Sequence, residues 1–83
     1  MPYIDPRARE VYDSCLNDIR VIPDKGALEY CIFKLMRIYM SDKIFRYSIL
    51  HDCTYAAQHC ADEFRRRFLD KREDEARELN GDI

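Results

Sequence analysis

Residues 45–68 read FRYSILHDCTYAAQHCADEFRRRF, and this stretch decides the fold of the chain. It contains neither Pro nor Gly, and its apolar residues recur every three or four positions. The residues of this stripe are Phe45, Ile49, Cys53, Ala56, Cys60, Phe64 and Phe68. Because this spacing places side chains on one face of an α-helix, we predict a helix onto which the rest of the chain packs.

The residues before this stretch predict two shorter helices. Asp5 and Pro6 are typical of a helix start, because Asp caps free backbone N–H groups and Pro fits the first turn. Helical spacing of apolar residues extends the first predicted helix over about residues 6–21, and Pro23 stops it. The turn-forming residues 23–26 lead into a second predicted helix over about residues 26–40.

The second predicted helix is apolar over most of its circumference. Its main stripe consists of Leu28, Cys31, Ile32, Leu35, Met36 and Tyr39. Three more apolar residues lie off that stripe, namely Phe33, Ile38 and Met40. Helices that are hydrophobic all round are buried. We therefore expect this helix to be central in the fold or covered by a second subunit.

The third predicted helix is the longest. It begins at Lys43, or a few residues later near Tyr47, and no clear stop precedes Asn80 and Gly81. As one helix, residues 43–79 would be about 55 Å long at 1.5 Å per residue, against about 22–25 Å for each of the first two. We therefore expect this helix to bend near Asp70 or to reach another chain.

These elements predict an all-α fold in a single domain, residues 1–83. The predicted architecture is a small helical bundle in which a hairpin of the first two helices packs on the long C-terminal helix. A chain of 83 residues buries only a small core. Because the second helix is also so apolar, we predict a homo-oligomer, a dimer or higher, with a two-fold dimer as the simplest form.

The net charge of −2 argues against a DNA partner, since DNA-binding domains carry a strong basic field. Residues 23–26 would suit the turn of a helix-turn-helix, but the second helix is too hydrophobic to lie in a major groove. The longest apolar runs are shorter than the roughly 20 residues of a membrane span. We expect neither DNA nor a membrane as a partner.

The chain has four cysteines, and none of them forms a C-x-x-C pair. They are Cys15, Cys31, Cys53 and Cys60, each at an apolar helical position. Because no secretory signal precedes them, we predict buried free thiols in a cytoplasmic protein.

We predict neither a metal site nor an enzyme. Two ligands on one helix converge when they are three or four residues apart. No pair within the set His51, Cys53, His59 and Cys60 has that spacing. A metal site shared between subunits stays open. The sequence also lacks a Gly-rich phosphate loop, a nucleophile elbow and an H-E-x-x-H motif, so we predict no cofactor and no catalysis.

Three consecutive arginines, residues 65–67, stand between two phenylalanines. On an α-helix they fan over about 200°. Pairs such as Glu63 and Arg67, four residues apart, predict ion pairs on the helix surface. Alternatively, Arg66 and Arg67 bind a phosphate or a similar anion, which guanidinium groups grip bidentately. Tyr30 lies off the clearest stripes and is a candidate interface residue.

Three groups of residues carry a resemblance to a known family. They are Met1-Pro2-Tyr3-Ile4, the stretch GALEYCI at residues 26–32, and a C-terminal run with Glu63-Phe64, Arg66-Arg67, Glu73-Asp74 and Asn80-Gly81-Asp82-Ile83. Together they resemble a family of short uncharacterised proteins from bacteriophages and prophages. That family has Pro-Tyr where this chain has Lys71-Arg72, and the replacement favours a longer continuous third helix.

The resemblance implies a small phage-type protein of the host-cell cytoplasm and no particular reaction. We expect a non-enzymatic accessory protein that binds and modulates a host or phage macromolecule, for example to counteract host defence. The alternative is a homo-oligomer that sequesters a small nucleotide or another anionic ligand, and a small enzyme is a second alternative. The predicted binding residues are Tyr30, Glu63, Arg66, Arg67, Glu73 and Asp74.

Overall fold

The computed structural model describes residues 2–82. Its elements are α1, Pro6–Leu16; α2, Lys25–Ser41; α3, Tyr47–Phe64; a π-helical segment, Arg65–Leu69; and α4, Asp70–Asn80. The predicted all-α class is confirmed. Met1 and Ile83, the outermost residues of the two terminal motifs, lie outside the described residues.

The chain divides into two compact units. The first, Tyr3–Cys53, contains α1, α2 and the first turns of α3. The second, described over residues 54–82, contains the rest of α3, the π segment and α4.

Helix α1 starts where the sequence predicts and ends earlier. The Asp5 carboxylate accepts a hydrogen bond from the backbone N–H of Arg7 at 2.8 Å. The helix ends at Leu16, and the N–H groups of Asp18 and Ile19 then bond to carbonyls three residues back. The predicted end at residue 21 is therefore wrong. Asn and Asp favour local turns, and the β-branched residues that follow are weaker helix formers than their apolar spacing suggests.

Helix α2 agrees with the prediction within one residue at each end. The Asp24 carboxylate accepts a 2.7 Å bond from the N–H of Ala27, which satisfies one of the free donors at the helix start. At the other end, Lys43 closes the helix. Its N–H donates to the carbonyl of Met40 at 3.1 Å, and its Nζ donates to the carbonyl of Tyr39 at 2.7 Å. The same Nζ lies 3.8 Å from the centroid of the Tyr39 ring.

The third helix begins at Tyr47, the later of its two predicted starts. A start at Lys43 is wrong because the backbone and side chain of Lys43 already cap α2. Beyond Tyr47 the helical backbone continues through the π segment to Asn80, and Gly81 ends it with a φ of +84°.

An antiparallel hairpin is formed by α2 and the start of α3. The Cys53 thiol points to the carbonyl of Met36 at 3.6 Å, and the Tyr39 hydroxyl donates to the Asp52 carboxylate at 3.4 Å. Contacts that lie later in α2 therefore involve earlier residues of α3, as in two antiparallel helices. The sequence predicted a hairpin of the first two helices. The hairpin joins α2 and α3 through the shorter connection, residues 42–46, whereas residues 17–24 separate α1 from α2.

Burial in the described residues centres on Cys53, whose exposed fraction is 6%. Cys31 is half-buried, whereas Cys15 and Cys60 are exposed, so the prediction of four buried thiols is wrong for the latter two. Many apolar side chains of α2 are exposed as well. Among the described residues, no helix combines the length and the apolar character needed to cross a membrane.

The turn between α2 and α3 predicts a dependence of stability on pH. A hydrogen bond from Lys43 lowers the pKa of Asp42, and the same bond raises the pKa of Lys43. A carboxyl group whose pKa is lowered on folding stabilises the fold at pH values above its pKa in the unfolded chain. This contribution is lost as the pH falls through the folded-state pKa. The raised pKa of Lys43 contributes stability at pH values below the unfolded-state pKa of about 10.4. This stability is lost as the pH rises through the folded-state pKa.

We therefore expect Asp42→Asn to lower the urea midpoint at pH 6 and to match the wild type at about pH 2, below the ordinary Asp range. Asp18→Asn, an Asp-to-Asn change outside this turn, is the control. A wild-type advantage over Asp42→Asn that stays constant from pH 6 to pH 2 would contradict the assignment.

Candidate functional site

Helix α2 presents two aromatic and two basic side chains on one face. Tyr30 and Phe33 are 68% and 62% exposed, and Lys34 and Arg37 are exposed beside them. Their positions i, i+3, i+4 and i+7 share one side of an α-helix. We call these four residues the aromatic–cationic face.

Helix α2 leaves all four of these residues exposed. Its half-buried residues are Ala27, Cys31, Met36 and Met40, and none of them belongs to the face. The sequence predicted Tyr30 as an interface residue but did not predict the other three residues as its companions. The i, i+3, i+4, i+7 spacing was the signal that could have found them, but Phe33 was counted only as an apolar residue off the main stripe.

This face carries residue types that are common in binding surfaces. Aromatic residues and Arg are enriched among the residues that contribute most to protein interfaces. Anchors at i, i+3, i+4 and i+7 are the pattern of a helix that binds in a groove. Lys25 and Glu29 form an ion pair at 3.7 Å near the start of α2. Neither residue belongs to the face, whose positive charge comes from Lys34 and Arg37.

A second cluster lies at the end of α3. The Glu63 side chain is only 14% exposed and accepts hydrogen bonds from two arginines. Arg66 approaches through Nη2 and through Nε at 3.3 Å, and Arg67 through Nε at 2.7 Å. The structure therefore brings together three of the predicted binding residues, and the helix-surface ion pair predicted between Glu63 and Arg67 is present.

The π segment changes the pairing of the next arginine. The N–H of Asp70 donates to the carbonyl of Arg65, five residues back, and Arg65 Nε lies 3.2 Å from the Asp70 carboxylate. In an α-helix, side chains five residues apart do not align. The wider π turn brings them together. The α-helical spacing used to predict ion pairs from the sequence does not pair Arg65 with Asp70, and nothing in the sequence marked the π turn.

A shallow depression of about 230 Å³ opens beside this cluster. It is lined by His59, Asp62, Glu63 and Arg66. Two carboxylates and one guanidinium contribute the charge, and Gln58 donates a 2.9 Å bond to Asp62. An anionic ligand gripped by Arg66 and Arg67 would have to replace the Glu63 carboxylate on both guanidinium groups.

The remaining predicted residues lie apart from the Glu63 cluster in the chain. Glu73 and Asp74 are exposed on α4, where Asp74 pairs with Arg77 at 3.8 Å. Tyr30 belongs to the other compact unit. Within residues 2–82, no three His, Cys, Asp or Glu side chains are grouped so as to hold a metal ion.

Comparison with known proteins places the chain in a family without assigning it a reaction. No curated protein and no solved structure matches the sequence. The family model described as "Domain of unknown function (DUF6899)" matches residues 1–83, the whole chain, and the protein therefore belongs to that family.

Proposed function

We propose that this chain is a non-enzymatic, phage-type accessory protein that binds and modulates a host or phage protein through the aromatic–cationic face. One observation carries the proposal: Tyr30 and Phe33 are 68% and 62% exposed side by side on α2. Exposed apolar surface rimmed by polar residues is typical of interaction sites. Here the rim is formed by Lys34 and Arg37.

The face defines the chemistry of its partner. Tyr30 and Phe33 are one helical turn apart and serve as anchors for an apolar groove. Lys34 and Arg37 follow each aromatic by four residues and favour a groove rimmed by carboxylates. The partner is therefore a protein with an acidic-rimmed apolar groove, and the expected modulation is occlusion of that groove.

The phage-type character rests on the sequence motifs near the two ends of the chain. Membership in a family of unknown function is compatible with this origin. A role in counteracting host defence would follow if the occluded groove belongs to a defence protein.

Site-specific photo-crosslinking in cells of the native bacterial host tests the proposal. Benzoylphenylalanine is placed at Tyr30 or Phe33 of the full chain, and adducts are identified by mass spectrometry. We expect the same protein to be captured from both positions, with its crosslinked peptide next to Asp and Glu residues. Tyr47, an exposed tyrosine outside α2, is the matched control position.

The position of capture decides the outcome, because an adduct alone would not locate the surface. Strong capture from Tyr30 and Phe33 with little from Tyr47 supports the proposal. Equal capture from all three positions, or capture from Tyr47 alone, overturns it. The absence of any adduct from Tyr30 and Phe33 in host cells also overturns it.

A further inference from the structure

Helix α2 carries a second exposed stripe on the side opposite the aromatic–cationic face. The stripe consists of Leu28, Ile32, Leu35 and Tyr39, each between 41% and 51% exposed. At 100° per residue, its mean direction is about 180° from that of the aromatic–cationic face. The half-buried residues of α2 lie on the two flanks between these faces. We call these four residues the apolar seam.

The spacing of the apolar seam is that of a coiled-coil contact. Its residues follow each other in steps of four, three and four, which are the d and a positions of a heptad. Leu28 and Leu35 occupy d, and Ile32 and Tyr39 occupy a. Such side chains are knobs that fit between four residues of a facing helix, so the seam fits a second helix with the same spacing.

The seam and the charges at its ends are symmetric about the middle of α2. Leu28 and Tyr39 are equally far from the point between residues 33 and 34, and so are Ile32 and Leu35. Lys25 and Asp42 continue the same spacing at the two ends and are also equally far from that point. Both are exposed, and they have opposite charges.

We propose that a second copy of this chain docks antiparallel on the apolar seam, with a two-fold axis at the middle of α2. Ile32 then faces Leu35 of the partner subunit, and Leu28 faces Tyr39 of the partner subunit. At each end of the contact, Lys25 faces Asp42 of the partner subunit. An interface on a two-fold axis must be self-complementary, and the seam meets this condition on one side of one uninterrupted helix.

The end charges favour the antiparallel orientation over the parallel one. A parallel pair would place Lys25 against Lys25 of the partner subunit and Asp42 against Asp42 of the partner subunit. Like charges brought together across an interface disfavour association. Within the chain, Lys25 pairs with Glu29 at 3.7 Å and Asp42 with Lys43 at 3.0 Å. Such exposed pairs are weak, so both charges can be shared with a partner.

A second copy also supplies the burial that the single chain lacks. Within residues 2–82, Cys53 is the one apolar residue in the buried class. Small chains with so little core are commonly stabilised by oligomerisation. Because the aromatic–cationic face lies on the other side of α2, the dimer leaves that face of each subunit open.

Sedimentation equilibrium of the full chain tests whether the seam forms the contact. We expect the wild type to dimerise and Leu35→Glu to weaken the dimer about 100-fold or more, since a two-fold interface counts the lost burial twice. Leu79→Glu, the same change at an exposed position of α4, is the control and should leave dimerisation unchanged. Circular dichroism checks that both variants keep their helix content.

Charge exchange tests the register. Lys25→Glu should weaken the dimer about tenfold, because it places Glu opposite Asp42 of the partner subunit at both ends. Adding Asp42→Lys should restore association. The control adds Asp74→Lys on α4 instead, which gives the same net charge away from the seam, and this variant should stay weak.

Crosslinking tests the orientation independently. Benzoylphenylalanine at position 28 of an unlabelled chain is activated in a mixture with ¹⁵N-labelled wild type, so that adducts between subunits are identified by mass. Trypsin cleaves after Lys34 and Arg37 and separates residues 26–34 from residues 38–43. We expect capture of the labelled peptide 38–43, which contains Tyr39.

Several results would overturn the proposal. They are a monomer at all concentrations, equal effects of Leu35→Glu and Leu79→Glu, equal rescue by Asp42→Lys and Asp74→Lys, or capture of the labelled peptide 26–34. None of them bears on the capture of a host or phage protein from Tyr30, so this proposal and the proposed function can fail separately.

Discussion

Replacing Cys53 with aspartate is expected to destabilise the hairpin of α2 and α3 strongly. Cys53 is the buried hydrophobic residue of the described chain, and its thiol lies 3.6 Å from the carbonyl of Met36. A carboxylate there would be desolvated beside a carbonyl oxygen, which repels it. We expect a loss of about 3 kcal/mol or more in the free energy of unfolding. Small domains are stable by only about 5–15 kcal/mol, so about a fifth to three fifths of the stability would disappear.

Cys60→Asp is the matched control for this prediction. Cys60 lies seven residues further along α3 but is exposed, so the same chemical change should cost about 0.5 kcal/mol or less. Urea unfolding followed by circular dichroism compares the two variants with the wild type. Equal shifts of the unfolding midpoint would mean that Cys53 is not the packing centre of the hairpin.

The double variant Tyr30→Ala and Phe33→Ala is expected to abolish most of the affinity for the partner captured at these positions. Central aromatic residues of an interface typically contribute about 2 kcal/mol or more each on truncation. Because neighbouring truncations are not additive, we expect a weakening of about 100-fold rather than the full sum. Titration calorimetry with the purified partner measures the loss.

The control for this prediction removes the same two residue types elsewhere. Phe45 and Tyr47 are exposed and lie outside α2, so Phe45→Ala with Tyr47→Ala deletes one Phe and one Tyr without touching the face. We expect the affinity to change less than about threefold. Urea midpoints of both double variants check that folding is retained. Equal losses of affinity would place the interface outside the aromatic–cationic face.

A third substitution separates the contribution of the aromatic residues of the face from that of its charges. Arg37→Ala should reduce the association rate and its dependence on salt, because a rim charge acts mainly on diffusional encounter. The dissociation rate should change little. This pattern, measured by stopped flow at two ionic strengths, would assign anchoring to Tyr30 and steering to Arg37.

The ends of the helices were predicted well where they depend on a capping residue close by in the sequence. Asp24 caps α2 within one residue of the predicted start, and Gly81 ends the last helix as expected. The prediction went wrong where a residue serves a neighbouring element. Lys43 fits a helix start by sequence, but its side chain closes α2. Apolar spacing alone could not reveal that role.

Burial was harder to predict than helices, because periodicity shows which residues share a face and not what covers that face. Leu28 and Leu35 follow the predicted core stripe of α2, and both are exposed. The ion pairs of the candidate site also differ in how far the sequence could predict them. The ion pairs of Glu63 were predictable from α-helical spacing, whereas the pairing of Arg65 with Asp70 depends on a turn that has no sequence signature.

The π segment also sets the angular phase of the helix that follows it. An α-helix turns by 100° per residue, and a π turn accommodates one residue more than an α turn. The side chains of α4 are therefore offset by about one residue from the face they would occupy on an uninterrupted α-helix. A single-residue deletion within Arg65–Leu69 would rotate the whole polar surface of α4 relative to Phe64 without changing any of its side chains. Length variation at this point would thus be a direct means of changing which residues of α4 meet a partner.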